Sequence, residues 1–297
     1  MSGVSITCDR QGRFWRVAVW QGRELRDLYI DKTDDPNLTD AVVGGKVVRV
    51  LAGQKAAWLN CGLPEKVYIE NAGAIRTGDY CVARIKSTHV KTKAWRGVLV
   101  KAADADEKTG LLVDPPFPWQ RAIEDLKDSK ITSIVFSYRE DCENGSRWIR
   151  QNRPSIAAAL NPLSKEPVHP ELDDIIDCLR KPIVSLPCGG AIVIQQTEAL
   201  VAVDVNGGEA TNPLTVNLQA VREAARQIRL RNLGGIIVMD CLKMKARTDK
   251  AKALNALNKA TEDDPAGVHV FGLTKLGLIE MTRTRRGPSL QDTEEGI

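Results

Sequence analysis

Two aspartates carry the clearest chemistry in this 297-residue chain. Asp204 lies at the end of the run LVAVDVN, and Asp240 at the end of GGIIVMD. Asn206 follows the first aspartate by two positions. Carboxylate and amide oxygens suit a hard, oxygen-preferring cation such as Mg²⁺. Such an ion polarises a phosphoryl oxygen and activates a water. Aspartates at strand ends also solvate loops and cap helices, so the spacing alone leaves both readings open.

The elements that position these residues can be read from the pattern. Ala191 to Ile194 and Leu200 to Val205 are short β-branched runs separated by Gln195, Gln196, Thr197 and Glu198, which reads as a hairpin. From about Thr215, the residues Leu218, Val221, Ala225 and Ile228 recur at helical spacing, with Arg222, Arg226 and Arg229 on another face. Asn232, Gly234 and Gly235 supply a helix stop. Ile236 to Met239 reads as a second buried strand. A strand, a helix and a strand with short links form a βαβ unit whose strands lie parallel and close. That arrangement brings Asp204 and Asp240 to one edge of a sheet, where open α/β sheets bind ligands.

The segments TEALVAVDVN, AVREAARQIRLRNLGGIIVMD and GLIEMTRTR together resemble the catalytic region of the RNase E/G family of endoribonucleases. In that family the aspartate of the VDVN-type motif and the aspartate ending the IIVMD-type strand hold a catalytic magnesium, and the asparagine helps to position them. The resemblance therefore implies Mg²⁺ as cofactor, Asp204 and Asp240 as its ligands, and Asn206 as a third catalytic residue. Lys243 stands where the family usually carries another acidic residue and is taken to lie outside the ligand set. Arg283, beside Arg285 and Arg286, matches a family arginine near the pocket for a terminal phosphate. Here it is read as a contact to the RNA backbone, the bland alternative being a charged tail. Arg222, Arg226 and Lys243 are assigned to the neutralisation of backbone phosphates.

Composition bounds the rest. Hydrophobic residues make up 43% and charged residues 27%, ordinary for a globular protein with more than one domain. A net charge of +4 permits a nucleic-acid partner without requiring one. The 7 cysteines are scattered without a CxxC pair, which argues against a disulfide framework and a structural zinc. The sequence has no membrane-spanning run and no signal-peptide layout. A cytoplasmic location without membrane association is expected.

In chain order, Val4 to Cys8, Phe14 to Trp20 and Glu24 to Ile30 read as a β-meander, with Trp15 and Trp20 as packing residues. Asp31 to Asp40 is a polar linker containing Pro36. Five short strands then follow with glycine turns and no long helix, the pattern of an OB barrel. They span Lys46 to Leu51, Ala56 to Cys61, Lys66 to Glu70, Tyr80 to Lys86 and Arg96 to Val100. OB folds bind single strands by stacking bases on aromatics beside a basic groove. GKVVRVLAGQKAAWLNCGLPEKVYIE also resembles the family's RNA-binding OB module, in which two aromatics contact RNA. Trp58 and Tyr68 match them, although strand aromatics are commonly core residues. Lys86, Lys91, Lys93 and Arg96 are candidates for the groove; a lysine run can also be a solvated face. The three histidines, His89, His169 and His269, are far apart and read as structural or surface groups.

Long family members follow the barrel with a sensor for the 5′-monophosphate end of RNA. Here the chain runs from Arg96-Gly-Val-Leu-Val through Ala103-Asp-Ala-Asp-Glu-Lys to Leu111-Leu-Val-Asp-Pro-Pro, without the sensor's pocket motif. Beyond it, Leu111 opens a strand that leads through prolines into a helix. Ile131 to Tyr138 reads as a strand, Ser155 to Leu160 and Pro170 to Leu179 as helices, and Glu140, Asp141 and Glu143 as a solvated turn. Thr248 to Thr261 reads as a helix capped by Thr248 or Asp249. Val268 to Leu273 and Ile279 to Thr282 read as the last strands. No counterpart of the family's zinc-link cysteines or C-terminal oligomerisation domain is expected after them. A monomer or small homo-oligomer is expected.

The fold class is thus α/β and β, and the resemblance supplies the subdomain types. An RNase H-like subdomain (residues 1–35 and 102–188) is split by an inserted OB-fold barrel (36–101). A DNase I-like α/β catalytic subdomain (189–297) follows. The expected function is Mg²⁺-dependent endonucleolytic cleavage of single-stranded RNA by activated water, giving 5′-phosphate and 3′-hydroxyl ends without 5′-end sensing. The alternatives are a catalytically inactive RNA-binding protein of the same fold and, more distantly, a nuclease acting on DNA.

Overall fold

A computed structural model describes residues 3–35, 37–87, 94–103, 108–127, 129–164, 169–210 and 212–294. The chain opens with three antiparallel strands, β1 (Val4–Gln11), β2 (Phe14–Gln21) and β3 (Glu24–Lys32). Val4, Ile6, Cys8, Val17 and Val19 are buried under one face of this sheet, Ala18 and Trp20 under the other.

The chain then leaves the sheet to build β4 (Val42–Leu51), β5 (Ala56–Asn60), β6 (Val67–Glu70), β7 (Tyr80–Ser87) and β8 (Trp95–Ala103). β4 pairs with both β5 and β7, β5 with β6, β6 with β8, and β8 with β7. The ring therefore closes into a five-stranded OB-like barrel, which leaves no free edge within the ring. Period-two alternation sends Val43, Val47, Ala57, Leu59, Val67, Ile69, Ala83 and Ile85 inward. One further strand, β9 (Gly110–Val113), pairs with the start of β4, and Leu111 packs on the barrel core. The barrel thus extends past residue 101, because β4 is long enough to pair with β5 over one half and with β9 over the other.

After the barrel come α1 (Pro118–Asp125), β10 (Ile131–Phe136), α2 (Arg139–Asn152) and α3 (Leu172–Arg180). β10 pairs parallel with β1 and completes a sheet of order β10-β1-β2-β3. The barrel is therefore an insertion between two strands of one sheet. Trp119, Ala122 and Ile123 of α1 pack against that sheet. Residues Pro154–Ala159 form a 3₁₀ helix where an α-helix was expected. Pro162, two positions on from Leu160, disfavours helical backbone at Asn161 and leaves only a short turn. Asp141 lies in the first turn of α2, not in a solvated turn. It is buried and accepts hydrogen bonds from Arg10 at 2.8 and 2.6 Å, so its charge is compensated.

The last part begins with β11 (Ile183–Ser185), β12 (Ala191–Gln196), β13 (Leu200–Asn206) and α4 (Pro213–Leu230). It continues through β14 (Gly235–Asp240), α5 (Arg247–Thr261), β15 (Val268–Leu273), β16 (Ile279–Arg283) and a terminal turn of helix, α6 (Leu290–Glu294). α5 starts after Ala246, which offers no side-chain cap, so neither Thr248 nor Asp249 caps it. The sheet order is β11-β12-β13-β14-β16-β15, with β13 and β14 parallel. α4 covers one face: Val201, Val203, Ile237 and Met239 share a core with Val216, Ala220, Val221 and Ala224. Burying each of the larger side chains is worth about 1.5–3 kcal/mol. No described element covers the opposite face, where Ile236 is 53% exposed.

α4 also joins this sheet to the first one. Arg229 pairs with the buried Asp27 of β3 through both guanidinium and carboxylate edges, and Leu230 packs with Trp20, Leu172 and Ile176. Among the described residues no helix is long and apolar enough to cross a membrane.

Candidate active site

Asp204 and Asp240 are direct partners in the parallel register of β13 and β14. Neighbouring strands lie about 4.8 Å apart, so the two carboxylates leave adjacent backbones at the same level. Alternation fixes where they point. Val203, Val205 and Met239 face the core under α4, so Asp204 and Asp240 face the opposite side of the sheet, and both are exposed. Among the described residues neither carboxylate has a cationic partner. Asn206 Nδ2 donates to Asp204 Oδ2 at 3.0 Å, which orients that carboxylate and leaves the side-chain Oδ1 of Asn206 without a partner among the described residues.

The loops around this edge are close-packed. A Cβ at Gly208, whose φ is +56°, would come within 2.2 Å of the Gly189 carbonyl oxygen. One at Gly190 would meet the Asn206 carbonyl oxygen at 2.7 Å. Only glycines let the 189–190 and 207–208 segments lie against each other behind Asn206. Below the loops, Asn212 caps α4 by accepting from the N–H groups of Leu214 and Thr215 at 3.0 and 3.4 Å, with Pro213 at the first helical position. Cys241, next to Asp240, has its thiol pushed up to about 12, first by burial and then by the Asp240 charge. Without a metal ion it is a thiol at neutral pH.

Two carboxylates and one amide oxygen, open to solvent on one side, fit a Mg²⁺-type ion that keeps several waters. Among the described residues no group of three or more His, Cys, Asp or Glu could hold a metal, so the fit is to a two-carboxylate site and not to a closed cage.

The sequence-derived RNA contacts divide into those the fold gathers and those it separates. Trp58 and Tyr68 are directly paired across β5 and β6, half-buried, with ring centroids 5.2 Å apart in an edge-to-face contact. Tyr68 is in turn paired with Arg96 on β8, and Trp58 with Arg49 on β4. Arg49, Trp58, Tyr68 and Arg96 thus form one row across four barrel strands, and Arg96 also meets Glu70 at 3.2 Å. Arg49 was not singled out from the sequence. Its place opposite Trp58 depends on the bulge between Val47 and Arg49, which shifts the pairing by one residue. Lys86 is exposed on β7, one position from Ser87, which pairs with Arg96. His89, Lys91 and Lys93 lie outside the described residues, as do Pro36 of the linker and residues 104–107.

Three arginines are placed differently from expectation. Arg283 is only 5% exposed. Its guanidinium meets Asp264 at 2.8 and 3.2 Å, Asn232 Oδ1 at 3.2 Å and the Leu233 carbonyl at 3.0 Å. With those donors committed to the protein interior, it is a structural ion pair and not a surface contact. Arg222 and Arg226 project from α4, which lies on the covered side of the sheet, away from the side chains of Asp204 and Asp240; Arg226 is bonded to Glu223 at 2.9 Å. Lys243 is exposed three residues beyond Asp240. Of the remaining histidines, His169 stacks on Trp20 with ring centroids 3.9 Å apart, and the exposed His269 lies against Phe271.

Comparison with known proteins identifies the family. A family model described as the Ribonuclease E/G family matches residues 84–286. Ribonuclease E of Nostoc sp. is 32% identical over 227 residues, which cover 71% of this chain and 32% of that protein. Ribonuclease E of Escherichia coli is 37% identical over 218 residues, 70% of this chain and 20% of the relative. Ribonuclease G of Salmonella typhimurium is 30% identical over 182 residues, 58% of this chain and 37% of the relative. The chain thus spans between a fifth and two fifths of the length of these relatives. The matched stretch contains β13, α4, β14 and both aspartates. A model match over more than half of the chain, with the carboxylate pair inside it, makes this chain a member of the Ribonuclease E/G family.

Proposed function

We propose that the chain is an endoribonuclease that cleaves single-stranded RNA at Asp204 and Asp240 with the help of Mg²⁺. The observation that carries this reading is the register: two exposed carboxylates at the same level of adjacent parallel strands, with no cation among the described residues to balance them. Like charges held this close favour a divalent cation between them. The relatives' printed names, Ribonuclease E and Ribonuclease G, supply RNA as the substrate class.

When bound, the ion supplies polarisation of a phosphoryl oxygen and a more acidic water. Asp204 and Asp240 hold the site open toward solvent on the face of the sheet opposite α4. Asn206 keeps the Asp204 carboxylate turned through its 3.0 Å hydrogen bond. With external water as nucleophile and the ribose 3′ oxygen leaving, the products are a 5′-phosphate and a 3′-hydroxyl. The barrel row of Arg49, Trp58, Tyr68 and Arg96, with Lys86 beside it, binds the strand by stacking and phosphate contact. In this reading the first sheet with β10 is the RNase H-like subdomain and the last sheet the DNase I-like subdomain.

The same reading holds that the enzyme does not sense the 5′ end. β8 and β9 both belong to the barrel and are joined by residues 104–109, a link too short for a separate phosphate-binding subdomain. The test is cleavage of an end-labelled single-stranded RNA with Mg²⁺ and with EDTA, followed by analysis of both product ends. Cleavage that needs the metal and leaves a 5′-phosphate supports the proposal. Tight RNA binding with no cleavage under any divalent metal would replace it with a non-catalytic RNA-binding protein.

A further inference from the structure

Asn217 is fully buried on α4, at 0% exposure, yet its amide serves a single residue of another element. Its Nδ2 donates to the Leu242 carbonyl at 2.8 Å, and its Oδ1 accepts from the Leu242 N–H at 3.0 Å. A side-chain amide that pairs both ways with one peptide unit imitates a rung of a β-ladder. Leu242 needs such a partner, because β14 ends at Asp240 and its pairing with β13 stops there. The Leu242 side chain also touches the other half of the site: a Cβ on Gly207 would lie 3.2 Å from Leu242 Cδ1. One residue, two positions beyond Asp240, is therefore latched to α4 on one side and to the loop after Asn206 on the other. A neighbouring amide repeats the device, since Gln219 Oε1 accepts from the Cys188 N–H at 3.0 Å, just before Gly189 and Gly190.

We propose that Asn217 is a positioning residue for the metal site, holding Asp240 in place against Asp204 by clamping the backbone of Leu242. The inference rests on the reading of Asp204 and Asp240 as metal ligands. Metal affinity depends on ligand oxygens held to a fraction of an ångström, and groups that orient ligands contribute through that placement alone. A strand end with two free residues beyond the last ladder bond frays. The same end hooked to a buried amide does not.

The test uses the whole chain and Mn²⁺ as probe, with binding measured from the spin-resonance signal of the free ion. The variants are Asn217→Leu, which keeps the branched side-chain shape and removes both bonds, and Asn217→Asp, which keeps the acceptor and sets a carboxylate against the Leu242 carbonyl. Ala224→Gly, on the same helix but away from Leu242, is the control for general loss of stability. Asp204→Asn and Asp240→Asn report on the metal reading itself. We expect Asn217→Leu to weaken Mn²⁺ binding by about 10- to 100-fold, the range for residues that orient ligands, and Asn217→Asp to fall between it and wild type. The Mg²⁺ midpoint for cleavage should rise by the same factor while KM for RNA stays within about twofold. Hydrogen exchange of the Leu242 amide, which donates to Asn217 Oδ1, should accelerate in Asn217→Leu, change little in Asn217→Asp, which keeps that acceptor, and stay unchanged in Ala224→Gly. If Asn217→Leu does not fold, Asn217→Asp carries the test. Mn²⁺ affinity in the Asn217 variants equal to that of Ala224→Gly, with both aspartate variants impaired, overturns the positioning role and leaves the metal reading standing. Unchanged Mn²⁺ affinity in the aspartate variants overturns both.

Discussion

The barrel and the last sheet present opposite surfaces. The barrel closes on itself and displays a row of arginine, tryptophan, tyrosine and arginine, groups that attract a polyanion and stack on bases. The last sheet has one face that no described element covers, and its edge presents two carboxylates without a cationic partner among the described residues, groups that repel a phosphate unless a cation lies between. On the proposed reading, affinity and chemistry are therefore housed in different architectures. A surface that grips RNA through its own charge needs no ion, whereas one that cuts it needs the ion before it tolerates the substrate at all. Changes in the barrel should move binding, and changes at the sheet edge should move rate.

The sharpest way to break this division is at the sheet edge. Asp204→Asn or Asp240→Asn should lower the single-turnover cleavage rate by about ten-thousandfold, or about 5 kcal/mol of transition-state stabilisation. RNA affinity measured in EDTA should not change. A loss of affinity that accounts for the lost rate would merge the two surfaces into one.

Next in size is the arginine that belongs to neither surface. Arg283→Met leaves Asp264 buried without its partner and should lower unfolding stability by about 3–5 kcal/mol in denaturant titration. RNA affinity of the folded protein should remain at the wild-type level. Weaker RNA binding with unchanged stability would mean that Arg283 reaches the substrate.

In the barrel, Trp58→Ala and Tyr68→Ala should each weaken RNA binding by about 1–3 kcal/mol, the size of a base-stacking contact. Cleavage at saturating RNA should be preserved. Lower thermal stability without a change in affinity would identify the pair as core residues that merely touch each other.

The smallest effect concerns the RNA end. With the strand held along its length by the barrel, matched RNAs carrying a 5′-monophosphate, a 5′-triphosphate or a 5′-hydroxyl should be cleaved at rates within about twofold of one another, less than 0.5 kcal/mol. A preference of about tenfold for the monophosphate would reveal a terminal-phosphate pocket and tie the two surfaces together through the substrate's end.

Much of the last sheet was legible in the sequence because its signals are local. The β-branched runs around Val203 and Val238, the helical period of Val221, Ala225 and Ile228, and the stop at Asn232 each lie within one element. The barrel strands were legible for the same reason. What escaped depends on partners distant in sequence. Arg283 looks like a surface charge until Asp264, Asn232 and Leu233 are folded around it. Asn217 looks like an indifferent helix residue until Leu242 arrives 25 positions later. Asp141 reads as solvated because the sequence does not place Arg10, 131 residues away, beside it. β9 reads as the start of the next unit because strand pairing with β4 leaves no mark in its own four residues.

The parallel register of β13 and β14 also sets when this site comes into being. Two parallel strands require a crossover, and here α4 supplies it, packed between the last sheet and the first. Asp204 and Asp240 are therefore strangers in any chain that has not closed that crossover and docked the helix. Long-range parallel pairings bear their loop-closure entropy before any contact rewards them, so they form late in folding. The barrel row links residues 9, 10 and 28 positions apart, whereas the two aspartates meet across 36. On the proposed reading, the metal site exists only once that crossover has closed and the helix has docked.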